Sequence, residues 1–177
     1  MATTVSYLEW LRMPEVQDAT EEVIDGEIRI TGPAKWVHAC TVSNIYLQLH
    51  DQLDHGRFLI ATARFGLVIR KEPLTVRGPD LAVFEIGSIV QEDGFIHSPP
   101  QLIAEVLAPG EDLSRKLADY ASLGVQEVWV VSPEARTVEV LCLENDKLHV
   151  AQTLSGGVFT SSYFPQVPVN VADLWND

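Results

Sequence analysis

The sequence predicts an α/β (α+β) fold in which a mixed β-sheet is flanked by helices and extended by antiparallel hairpins. Three observations carry this. A helix of about twelve residues, Glu111 to Leu123, lies between two strongly apolar strands, and such a unit favours a parallel crossover. Asp25-Gly26 stands between two β-prone runs and signals an antiparallel turn. A second helical stretch, about Lys35 to Leu53, carries a wide apolar face on which to pack against a sheet.

The elements follow in order. Ser6 to Met13 reads as a short helix ended by Pro14. Glu22 to Ile30 is the hairpin turned at Asp25-Gly26. Pro33 opens the stretch from Lys35, where Trp36, Val37, Cys40, Val42, Ile45, Tyr46, Leu49 and Leu53 recur at helical spacing. Phe58 to Ala63 and Phe65 to Arg70 read as strands, and Glu72 to Gly78 as a loop. Leu81 to Phe84 is a short apolar strand directly after Pro79-Asp80. Gly87 to Pro100 is polar and carries Gly and Pro, so it is expected to be a mobile excursion. Leu102 to Leu107 is a strand, Glu111 to Leu123 a helix closed by Gly124, and Val128 to Val131 a buried strand. Thr137 to Leu143 and Lys147 to Thr153 pair through a turn at Glu144-Asn145-Asp146. The tail to Asp177 ends in an apolar cluster of Val171, Leu174 and Trp175. With no repeat or linker, residues 1–177 are expected to form a single domain.

Bulk properties narrow the function. Hydrophobic residues make up 46% of the 177, enough for a packed core. No apolar run approaches the roughly 20 residues that span a bilayer. Met1 to Trp10 carries acid and lacks the pattern of a signal peptide, so the expected location is the cytoplasm, with no membrane partner. Cys40 and Cys142 read as small buried hydrophobes, without a disulfide or ligand spacing. Asp and Glu number 25 against 12 Lys and Arg, a net charge of −13. Such a charge disfavours non-specific DNA binding, which depends on neutralising phosphates. Binding through a local patch or a homodimer groove stays open, and Trp10 and Trp175 are expected exposed aromatics for such contacts.

The chemistry concentrates on three residues. In Gln101 to Leu107, Leu102, Ala104 and Val106 face one side of the strand and Ile103, Glu105 and Leu107 the other. Both faces are apolar, so Glu105 is a carboxylate in a core strand, or else lies at its wet end. An ionised carboxylate in a core is costly without a cation or hydrogen bonds. Asp80 begins the neighbouring apolar strand, and two acids at the ends of two core strands suit Mg²⁺, which takes one or two carboxylates. Lys116 lies on the following helix with Tyr120 four residues on. Spacing alone would pair Lys116 with Asp112 or Asp119. His38 reads first as a helix or core histidine, and His50, His55, His97 and His149 as solvated.

These residues carry a resemblance. Pro79-Asp80-Leu81-Ala82-Val83, then Ile103 to Leu107, then Lys116 with Tyr120, then Gly124 to Val131, resemble in order and spacing the Uma-two (Uma2) family of bacterial proteins. That family is grouped with the PD-(D/E)XK restriction-endonuclease-like superfamily. Glu22 to Glu27 and His38 resemble its opening pattern, and the likeness runs from about Glu22 to Leu143. The resemblance implies a restriction-endonuclease-like fold and a Mg²⁺- or Mn²⁺-dependent endonuclease that hydrolyses DNA phosphodiester bonds. It implies Asp80 and Glu105 as metal-binding acids and Lys116 as the catalytic lysine, moved to the helix from the position Leu107 occupies here. Glu22 matches an additional acid, and Tyr120 is expected to pack or to hydrogen-bond Lys116. Where family members carry Ser after the Glu-Val-Leu run, this chain has Ala108. Superfamily nucleases are often dimers, so a homodimer is an expectation by analogy. The competing reading is a non-catalytic interaction or regulatory module on the same fold. A small-molecule hydrolase lacks a Gly-x-Ser-x-Gly elbow or Cys-His pattern.

Overall fold

The computed structural model describes residues 4–17, 19–62 and 65–176. The predicted strand end at Ala63 and the chain ends Met1 and Asp177 lie outside the described residues.

The Asp25-Gly26 turn forms as the sequence predicts. β1 (Thr20–Ile24) and β2 (Glu27–Thr31) pair antiparallel with Ile24 opposite Glu27. Asp25 and Gly26 have φ of 50° and 82°, as a two-residue hairpin loop requires. A short helix, α1 (Tyr7–Trp10), precedes them, capped by Ser6. The helical stretch after Pro33 forms α2 (Trp36–His50).

Two six-stranded sheets follow from the remaining pairings. The second contains β3 (Phe58–Thr62) at one edge, and the first contains β4 (Leu67–Lys71). The reading of Glu72 to Gly78 as a loop needs correction. Leu74–Arg77 is a strand, β5, paired with β1 and β4 and buried at every position. Its four residues lie between Pro73 and Gly78, so local signals mark breakers while long-range pairing makes the strand. β6 (Leu81–Glu85) comes next. The excursion from Gly87 to Pro100 is also structured: β7 (Gln91–Glu92) and β8 (Phe95–Ile96) form a hairpin about Asp93-Gly94. This hairpin explains a second correction. Trp10 is 9% exposed, because its ring packs on Phe95 with centroids 4.5 Å apart and its Nε1 donates to Glu21 at 2.7 Å.

The crossover is as expected. β9 (Leu102–Val106) and β10 (Glu127–Ser132) pair in parallel, joined through α3 (Ser114–Leu123). Gly124 ends α3 in the left-handed conformation, φ 94°. β11 (Thr137–Glu144) and β12 (Lys147–Leu154) complete that sheet in the order β12-β11-β10-β9-β6-β3. The first sheet runs β2-β1-β5-β4-β8-β7. The C-terminal region adds a small pair, β13 (Val158–Thr160) and β14 (Pro168–Asn170), which the sequence reading missed.

Packing follows the alternation along β9. Leu102, Ala104 and Val106 join one core with Ile45 and Leu49 of α2 and with Val171 and Leu174 of the tail cluster. Ile103 and Leu107 join another with Tyr120 of α3 and Leu67 and Ile69 of β4. A third core, under α1, holds Val23, Val68, Leu74 and Val76. Sheet two is therefore covered on both faces, and α3 and sheet one share one of them. Cys40 and Cys142 are free thiols, but half-buried rather than buried as expected. No helix among the described residues is long and apolar enough to cross a membrane.

Candidate functional site

β6 and β9 run antiparallel with Leu81 opposite Ala104, so the register carried one step further sets Asp80 opposite Glu105. Leu81 and Ala104 point into the α2 core, so Glu105 turns to the α3 side, while Asp80, just before β6, reaches His38 of α2. The side chains of Asp80 and Glu105 both line a cleft of about 680 Å³. Asp80 Oδ2 accepts the Val106 N–H at 2.8 Å, which ties it to the end of β9.

Glu105 is 3% exposed, which excludes the wet-end alternative. Lys116 Nζ donates to its Oε2 at 2.9 Å and Tyr120 Oη to its Oε1 at 2.5 Å. Four-residue spacing on α3 aims both donors at the same carboxylate. The pairing of Lys116 with Asp112 or Asp119 does not occur. Asp119 is taken by Arg77 and Arg70, and Tyr120 serves Glu105 rather than Lys116.

Glu22 closes the group from the other sheet. Its Oε1 lies 3.4 Å from Lys116 Nζ and accepts the Gly78 N–H at 3.0 Å. Its Oε2 accepts from Arg77 at 3.1 Å. Arg77, buried at the end of β5, donates in turn to Asp119 Oδ2 at 2.6 and 2.9 Å. Arg70 joins Asp119 to Asp25, which also meets Arg115. Acids and bases thus alternate from Glu105 through Lys116, Glu22, Arg77, Asp119, Arg70 and Asp25 to Arg115. The sequence reading missed Arg77, Asp119 and Arg70, whose partners lie 42 to 55 residues away with no local spacing to mark them.

His38 is not an idle helix residue. Its Nε2 lies 3.2 Å from Asp80 Oδ2 across the cleft. His97 is not solvated either: it stacks edge-on against Tyr7 far from the cleft, its ring largely buried. His50 is exposed and touches the ring of His55.

The electrostatics follow from burial. Burial pushes Glu105 up to about 7, and the nearby Asp80 charge adds to this against the opposing Lys116 and the Tyr120 hydrogen bond. Burial works to lower the Lys116 pKa, but the Glu105 and Glu22 charges outweigh it and hold it raised. Burial and the Glu105 charge raise the Tyr120 phenol. The hydrogen bond to Asp80 raises His38 against its burial. The placement of Asp80 opposite Glu105 in one cleft is the observation that bears on a cation. Two hard carboxylates in one cleft fit a divalent ion that keeps most of its waters. No group of three or more His, Cys, Asp or Glu converges for a metal among the described residues.

Comparison with known proteins bears on the fold and the family. The fold resembles that of a solved protein from Anabaena variabilis ATCC 29413, described as a "putative nuclease belonging to DUF820". The two chains are 18% identical, the likeness covers 97% of each, and the TM-score is 0.77. No curated protein matches the chain. Residues 7–172 match the model of the Uma2 family, described as "Putative restriction endonuclease". With nearly the whole chain inside that match, including every residue of the cleft, this protein belongs to the Uma2 family.

Proposed function

We propose that the chain is a divalent-metal-dependent endonuclease that hydrolyses DNA phosphodiester bonds, with Mg²⁺ or Mn²⁺ held by Asp80 and Glu105. The observation that carries this is the buried Glu105, held by Lys116 and set opposite Asp80 in one cleft. A metal there supplies Lewis-acid polarisation of a phosphoryl oxygen. Lys116 places a fixed positive charge where negative charge develops on the phosphate. Glu22 and the Gly78 carbonyl hold the ammonium in place, and Tyr120 fixes the Glu105 carboxylate. His38 holds the outer face of Asp80 and stands ready to carry a proton at Nε2.

Purified protein is expected to cut DNA, offered as a single strand or as plasmid, with Mg²⁺ or Mn²⁺. Asp80→Ala and Glu105→Ala abolish this while far-ultraviolet circular dichroism stays unchanged. Absence of cleavage across divalent metals and DNA forms rejects the reading.

One observation favours a second reading, a non-catalytic module. Both Glu105 oxygens already have protein donors, and Asp80 Oδ2 has two contacts. Calorimetric titration with Mn²⁺ separates the two. Binding that disappears in Asp80→Ala and Glu105→Ala rejects the module, and no binding rejects the endonuclease.

A further inference from the structure

One wall of the cleft takes no part in the chemistry above. Residues 31–37, between β2 and the first turn of α2, are exposed throughout. Within them Trp36 is 76% exposed, the highest value among the exposed large hydrophobics of the described residues. It opens α2 at the rim of the cleft, outside the lining itself, between Lys35 and Val37, which both line it. Its indole faces no aromatic partner among the described residues, whereas Trp10 and Trp129 each pack against a phenylalanine. Lys35 forms no ion pair among the described residues, unlike Arg29, Arg57 and Lys71. The facing wall is apolar, made by Leu107, Ala108, Pro109 and Pro133.

Charge separates the two forms in which a nucleic acid could approach. The chain carries −13, and the cleft holds Glu111 and Glu134 beyond the site acids against only Lys35 and Lys116. A duplex presents mainly phosphates, and affinity for it comes largely from cations that neutralise them. This surface supplies few. A single strand also presents base faces, and stacking on an aromatic ring provides affinity that does not depend on net charge. Paired bases in a duplex are stacked on one another and cannot lie on an indole.

We propose that Trp36 is a stacking platform for an unpaired nucleobase, with Lys35 taking the adjacent phosphate, so that the cleft accepts single-stranded rather than duplex DNA. The proposal rests on the reading of the cleft as a DNA site. It adds the form of the substrate.

The test is binding, measured apart from cutting. Fluorescently labelled oligothymidylate and a mixed-sequence blunt duplex of equal length are titrated by anisotropy at low salt. This is done in chelator, and again with Mg²⁺ on the Glu105→Gln protein. The single strand is expected to bind at least about tenfold more tightly than the duplex, a difference of about 1.4 kcal/mol. Trp36→Ala lowers single-strand affinity by about tenfold, and Trp36→Phe, which keeps a stacking face, stays within about threefold of wild type. Trp10 and Trp129 are buried and Trp175 is half-buried, so unlabelled oligothymidylate is expected to quench an emission component that Trp36→Phe removes and Trp175→Phe keeps. Equal or tighter duplex binding, an unchanged Trp36→Ala affinity, or no single-strand binding in either condition overturns the proposal. A chain that binds oligothymidylate through Trp36 but cuts no DNA rejects the endonuclease and leaves the platform standing. A chain that cuts duplex with full rate in Trp36→Ala rejects the platform alone.

Discussion

Lys116 Nζ sits 2.9 Å from Glu105 Oε2, although the two residues lie 11 apart on different elements of the crossover. The turn between β9 and α3 brings the helix back over the end of the strand it has just left. The ammonium is therefore the main compensation for a carboxylate shut away from solvent.

Removing that ammonium should be costly. Lys116→Ala leaves Glu105 buried with Tyr120 as its remaining side-chain donor, and the expected loss is about 3 kcal/mol at neutral pH. Urea unfolding checks it. The loss should shrink in acid, where Glu105 takes up a proton and no longer needs a counter-charge.

Stability should also depend on pH through Glu105. Burial raises it from 4.5 to about 7 in the folded chain. Across that window the folded state keeps a proton that the unfolded state has released. The contribution is thus present in full below the unfolded value and is lost as pH rises through the folded one. Unfolding free energies measured from about pH 4 to about pH 8 should fall across this range, and Glu105→Gln should flatten the slope.

His38 offers a local readout of the cleft. Its pKa is raised, first by the hydrogen bond to Asp80. The stabilisation from this pair is complete below the free-histidine value and is lost as pH rises through the raised one. Nuclear magnetic resonance titration of the His38 ring should give a midpoint above the ordinary histidine value, and Asp80→Asn should lower it. A midpoint unaffected by Asp80→Asn contradicts the pairing.

The alternating charges also differ in depth, and their worth should differ with it. Asp119→Ala strips buried Arg77 of its closest partner and should cost about 3–5 kcal/mol. Glu27→Ala breaks the solvent-exposed pair with Arg29 and should change stability by about 0.5 kcal/mol or less. Paired urea melts decide whether depth, rather than the mere presence of an ion pair, sets the effect.

The parts of this architecture that were legible in the sequence are those whose cause is local. Asp25-Gly26 carries its own turn geometry, Gly124 its own helix stop, and the alternation along β9 assigns Glu105 to a face before any partner is known. The parts that were not legible have remote causes. β5 exists because Val76 meets Val23, 53 positions earlier in the chain, and because β4 folds back on it. Trp10 is buried by Phe95 on a hairpin that looked like a polar loop. The site divides the same way. Asp80 and Glu105 stand out as acids beside apolar strands. Lys116 was tied to them by family resemblance alone, since its spacing pointed to Asp112 or Asp119. Arg77 left no mark, because its role is defined wholly by two carboxylates from other elements.

The alternating chain of charges draws on β1, β4, β5 and the β1–β2 turn of one sheet, β9 of the other, and α3 between them. No single sheet holds the whole set. A nascent or partly unravelled molecule in which the sheets have not met keeps Asp80 beside Glu105 but lacks Glu22 against Lys116. On the endonuclease reading, the last restraint on the site's lysine then arrives only when the two sheets meet.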